Sequence, residues 1–151
     1  ELETVPLLEE SLVAVGKENW FRDENGYLPE TISLAELANK PLIVYRRWEG
    51  VLSRIFERKG LRLNTFCCND DARTTLTWAA SGAGVGILPR SMVRHWNEKN
   101  DFEMVFLPVA EEAMHSRIEL VYRKKEELSQ AARALLQTAE AWYREKGEEL
   151  L

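Results

Sequence analysis

Short apolar runs alternate along the chain with stretches whose apolar residues recur every three or four positions. The second pattern marks helices that bury one side. From Trp48 to Lys59, Val51, Leu52, Ile55 and Phe56 share a face opposite Arg54, Glu57, Arg58 and Lys59, with Gly60 placed to end the helix. A further helix is predicted over Asp71–Ser81, with Asn69, Asp70 and Asp71 as candidate caps and Gly82 as its end. Ser33-Leu34-Ala35-Glu36 fits a capping box, so a short helix to about Asn39 is expected. The last predicted helix, Glu126–Lys146, carries the stripe Leu128, Ala132, Leu135, Leu136, Ala139 and Trp142.

The apolar runs predict strands at Leu12–Val15, Pro41–Tyr45, Leu61–Cys68, Ala83–Leu88, Phe102–Leu107 and Arg117–Tyr122. Leu2 to Ser11 reads as extended chain in which Pro6 opposes a helix, Gly16 to Glu30 as a polar loop, and Ser91–Trp96 as a brief helix. Pro41–Tyr45 lacks polar alternation, which suits a central strand covered on both faces. Strands separated by helices indicate an α/β sheet with helices on its faces. Ligands bind such sheets beyond the carboxyl ends of their strands.

Two strand-to-helix junctions therefore become candidate sites. After the Pro41–Tyr45 strand stand Arg46, Arg47 and Trp48, able to take a carboxylate or phosphate and to cover an organic ligand. The same residues are also compatible with arginines that face solvent or pair with Glu49 and a tryptophan packed on the sheet. After the next strand, Asn69 is first a candidate helix cap and second a ligand contact, since a helix start also attracts anions. Asp70 and Asp71 oppose an anion unless they point away or select a ligand amine.

Composition narrows the class. The chain has 151 residues, 45% hydrophobic and 30% charged, the balance of a globular domain. Its net charge of −5 argues against phosphate-backbone binding by this chain. No apolar run is long enough to span a bilayer and no signal-peptide pattern opens the chain, so a cytoplasmic location is expected. Cys67 and Cys68 are adjacent; on a strand they face opposite ways, with one expected buried and one at the surface. They exclude a Cys-rich zinc site. His95 and His115 lack ligand-spaced neighbours, and Ser91 lacks a nucleophile setting, so neither enzyme nor cofactor is expected. Gly82-Ala83-Gly84-Val85-Gly86 follows a helix and opens a strand, the reverse of a dinucleotide-binding loop, and its glycines are expected to end the helix and turn into the strand.

Leu76-Thr77-Trp78-Ala79-Ala80-Ser81-Gly82-Ala83-Gly84-Val85-Gly86-Ile87-Leu88-Pro89 resembles a signature of LysR-type transcription regulators. Leu7–Val15 resembles that family's L-x-x-E-x-L-x-L-V strand, and Leu37–Ile43 its L-A-x-x-P-L-I segment. The resemblance implies the regulators' effector-binding domain, a two-lobed α/β fold of the type 2 periplasmic-binding-protein kind. On it, 19–101 form a complete second lobe, and 1–18 with 102–151 form a partial first lobe and the crossing strands.

The resemblance further implies an effector cleft in which Val15, Arg46, Arg47, Trp48 and Asn69 take part; Val15 brings no hydrogen-bonding group. The arginines direct the expectation toward an anionic metabolite. A homodimer built through the helix over Gly50–Lys59 and its neighbouring strand is implied, with DNA bound only by a helix-turn-helix domain that this sequence lacks. A transport solute-binding protein of the same fold is the alternative. If the first lobe is partial, apolar surface should be exposed on Ile118–Tyr122 and on the last helix.

Overall fold

The computed structural model describes residues 2–94, 96, 103–124 and 127–150. The chain divides into two compact units, 11–114 and 1–10 with 115–151.

The larger unit is a sheet with helices on both faces. Its first strand is the inner end of β1 (Leu2–Gly16), followed by α1 (Leu34–Ala38), β2 (Leu42–Tyr45), α2 (Arg46–Arg58), β3 (Thr65–Asn69), α3 (Ala72–Ala80), β4 (Val85–Pro89), α4 (Arg90–Val93) and β5 (Val105–Pro108). The sheet order is β3-β2-β4-β1-β5. β2 runs parallel to both β3 and β4, and β1 is antiparallel to β4 and β5.

Alternate residues of these strands feed two cores. Leu12, Ala14, Leu42, Val44, Val85 and Ile87 join Leu34 and Leu37 of α1 and Leu52, Ile55 and Phe56 of α2. Val13, Val15, Ile43 and Leu88 join Leu76, Ala79 and Ala80 of α3. Covering both faces requires apolar side chains at every position, hence the uninterrupted runs. β1 records the change of setting in its own sequence: exposed residues recur at every second position over most of Leu2–Ser11, whereas burial is continuous from Leu12 to Gly16, where the strand lies between β4 and β5.

Local signals explain the helix ends. Ser33 Oγ accepts the Glu36 backbone N–H while the Glu36 carboxylate accepts the Ser33 N–H at 2.8 Å, closing the expected capping box. Gly60 and Gly82 both take positive φ just past α2 and α3, a conformation that costs glycine little. Gly84 allows close packing, since a Cβ there would stand 2.3 Å from the Pro41 carbonyl oxygen.

Several expectations change. The strand ending at Asn69 starts at Thr65, not Leu61; Leu61 and Leu63 pack against the core from the irregular segment before it. The Gly16–Glu30 stretch contains a 3-10 turn at Glu18–Trp20, and its aromatic pair anchors it: Phe21 is buried and the Trp20 indole N–H donates to the Gly82 carbonyl at 3.1 Å. Turn-forming neighbours hid that anchor in the composition. α2 begins two residues early, at Arg46. His95 and Phe102, where a brief helix and a strand were expected, lie outside the described residues, as does Glu126.

The smaller unit comprises the outer part of β1, β6 (His115–Arg123), which pairs with β1, and α5 (Gln130–Lys146). Ser129 caps α5 by accepting the Ala132 N–H at 3.2 Å. Of the predicted α5 stripe only Leu136 is buried; Leu135 is 69% exposed and Trp142 47%. Ile118 and Val121 of β6 are also exposed.

Candidate functional site

Beyond Tyr45 and Asn69, which are register partners on parallel β2 and β3, β2 passes straight into α2 and β3 passes through Asp70 and Asp71 into α3. This places Arg46 next to Asp70, a pairing that parallel register dictates and that the separate motifs do not reveal. Arg46 Nε donates to Asp70 Oδ1 at 2.5 Å, and this hydrogen bond pushes the guanidinium pKa above its ordinary value. Arg46 therefore pairs with Asp70 rather than Glu49. Arg47 is exposed and has no ion pair among the described residues.

The two helix starts differ. α3 is capped by Asp71, whose Oδ1 accepts the Thr74 N–H at 2.9 Å and whose other oxygen accepts the Thr74 hydroxyl, so the Asp71 carboxyl is held below its usual range. This corrects the cap expected at Asn69. Asn69 is instead the last residue of β3, and its side-chain amide donates toward Thr75 Oγ1 at 3.4 Å. α2 has Tyr45 at its cap position, and no side chain caps it. The first backbone N–H groups of a helix have no intrahelical acceptor, and here no cap side chain supplies one.

Trp48 lies in the first turn of α2, partly buried against the core that α1 and α2 share. Its indole N–H is buried and has no hydrogen-bond partner among the described residues. Val15 is wholly buried in the opposite core and offers no surface. The candidates thus separate: Arg46, Arg47, Trp48 and Asn69 share one edge, and Val15 sits inside.

The cysteines face opposite cores, Cys68 the one that Trp48 also packs against and Cys67 the one that Tyr45 and Ala72 pack against. Neither is fully buried or fully exposed, which corrects the expectation of one of each. Burial raises both thiol pKa values; at Cys68 the Glu49 and Asp70 carboxylates add to the rise while Arg46 opposes it. Among the described residues no cluster of His, Cys, Asp and Glu could hold a metal, and no helix is long and apolar enough to cross a membrane.

Residues 1–144 match the family described as LysR substrate binding domain. The chain belongs to that family. The LysR substrate-binding domain shares its fold with three solved relatives: the QuiR effector-binding domain in complex with shikimate (TM-score 0.73, 19% identity, 95% of this chain and 66% of that one), the BenM effector-binding domain with its effector benzoate (0.72, 18%, 97% and 65%), and HinK, a LysR family transcriptional regulator from Pseudomonas aeruginosa (0.71, 18%, 94% and 49%). The chain spans about two thirds of the effector-binding domains and under half of the regulator CbnR. No curated protein sequence matches it. At these identities the likeness establishes the fold, the type 2 periplasmic-binding-protein-like α/β architecture expected from the motifs.

Proposed function

We propose that this LysR substrate-binding domain senses a small anionic metabolite at the carboxyl edge of β2 and β3, with Arg46, Arg47, Trp48 and Asn69 as contacts and Val15 behind the site. The observation that carries the reading is the uncapped start of α2. It presents backbone N–H groups and the positive end of the helix dipole beside two arginines. α3, by contrast, already holds the carboxylate of Asp71. Of the relatives above, the QuiR domain is bound to shikimate and the BenM domain to benzoate, both carboxylates.

In this reading 19–101 form a second lobe, and 1–18 with 102–151 contribute to a first. The domain works in the cytoplasm within a regulator that dimerises through α2 and β3 and reaches DNA through a separate helix-turn-helix domain. Effector binding shifts the regulator between states by its differential affinity for them.

The test is calorimetric titration of benzoate and shikimate into the wild-type chain and into Arg46→Ala and Arg47→Ala. Loss of one charge-assisted hydrogen bond weakens binding by about tenfold or more. Affinities unchanged in both variants would remove the arginines from the site.

A further inference from the structure

The carboxyl edge of β2 and β3 is polarised, which an anion site alone does not require. On the β2 side stand Arg46, Arg47 and the uncapped first turn of α2; on the β3 side stand Asp70 and Asp71, with Arg73 offsetting Asp71 from the first turn of α3. The acids of this edge differ in their engagements. Asp71 is committed to Thr74, through both its backbone N–H and its hydroxyl. Glu49, in the first turn of α2, interacts with the Cys68 thiol. Among the described residues Asp70 has Arg46 as its one ion-pair partner, with the Cys68 thiol nearby, and its side chain is 79% exposed.

The geometry of that pair matters more than its strength, since an exposed ion pair contributes little to stability. Asp70 engages Nε of Arg46. The guanidinium has five donors in a planar fork, so its two terminal nitrogens stay available for a carboxylate. Asp70 likewise keeps an oxygen with open lone pairs. A ligand whose only polar group is a carboxylate meets the like charge of Asp70 as it approaches Arg46. One that carries a hydroxyl or ammonium group near its carboxylate meets an acceptor in the same place.

Resting on the reading of this edge as the ligand site, we infer that the ligand class is a hydroxy or amino acid, its carboxylate taken by Arg46 and the α2 amides and its donor group by Asp70. Asp70 is then a specificity-determining residue.

Two matched pairs of probes test this on the full chain by calorimetry: 3-phenylpropionate against phenylalanine, and phenylacetate against mandelate, each pair differing by one donor group beside the carboxylate. The wild type is expected to bind the donor-bearing member of each pair about tenfold tighter, the effect of one charge-assisted hydrogen bond. Asp70→Ala should abolish both preferences and tighten the plain acids. Asp70→Asn, which keeps an acceptor oxygen but no charge, should lose the ammonium preference and retain part of the hydroxyl preference. Because Asp70 is exposed, both variants should fold, as circular dichroism would verify.

Plain acids binding the wild type as well as their partners do, or a preference that survives in Asp70→Ala, overturns the ligand class. If that result comes with Arg46→Ala weakening all four probes, the edge remains the site and only the class is wrong. If no probe binds, or Arg46→Ala and Arg47→Ala change nothing, the site reading falls with it.

Discussion

Replacing Gly84 by alanine probes the tightest surroundings of any described glycine. The added Cβ would stand 2.3 Å from the Pro41 carbonyl oxygen, where ordinary contact begins at 3.4 Å, so one backbone must move by about an ångström. That carbonyl is fixed: it accepts the Val85 N–H at 2.9 Å, next to the Leu42–Val85 register pair of β2 and β4. Moving it sacrifices this hydrogen bond and strains the core, which together cost about 3 kcal/mol. For a domain of this size that corresponds to a melting temperature lower by roughly 6–12 °C.

Two further glycines calibrate the result. Gly50, inside α2, has open space around it, so Gly50→Ala should stabilise by about 0.5–1 kcal/mol. Gly82 has room but a φ of +86°, so Gly82→Ala should cost about 1–2 kcal/mol. Urea unfolding followed by tryptophan fluorescence measures all three. A Gly84→Ala cost below that of Gly82→Ala would refute the β2–β4 packing described above.

The capping box predicts that Ser33→Ala loses about 1 kcal/mol, read by the same unfolding curves. Hydrogen bonds from Ser33 hold the Glu36 carboxyl below its ordinary value. Its stabilisation is therefore complete above the unfolded carboxyl pKa and disappears as pH falls through the lower folded value. Glu36→Gln should flatten the acid limb of a stability-against-pH profile, and an unchanged limb would count against the box. Burial raises both thiols, so Cys67 and Cys68 should react with iodoacetamide at neutral pH more slowly than free cysteine does. Either thiol reacting at the free rate contradicts their placement against the two cores.

The middle of the larger unit was legible because its strands must satisfy two cores at once. Leu42, Ile43 and Val44 announce that demand without any knowledge of neighbours, and Ser33 with Glu36, or Gly82 with its position after a helix, act within one turn. The site was legible as far as its junctions. Arg46 and Asp70 meet only because Tyr45 and Asn69 are register partners, and register is a property of two strands that neither sequence segment contains. Asn69 and Asp71 were equally good caps on paper; where β3 stops decides between them. The α5 stripe has helical spacing, yet periodicity cannot say whether a face finds a partner, and Leu135 finds none within its unit.

The distribution of buried side chains bears on how the protein opens. Among the described residues, Leu8 and Leu136 are the only buried hydrophobic side chains in the smaller unit, against the two full cores of the larger. Amides of β6 and α5 should therefore exchange with solvent deuterium long before those of β2 and β4. Unfolding would then proceed unit by unit, and the free energies given above would be those of the larger unit, which holds all four substituted residues. Four tryptophans, Trp20, Trp48, Trp78 and Trp96, belong to the larger unit and only Trp142 to the smaller. Fluorescence would follow one melting event and far-ultraviolet dichroism both, so the gap between the two curves would measure how independently the lesser core gives way.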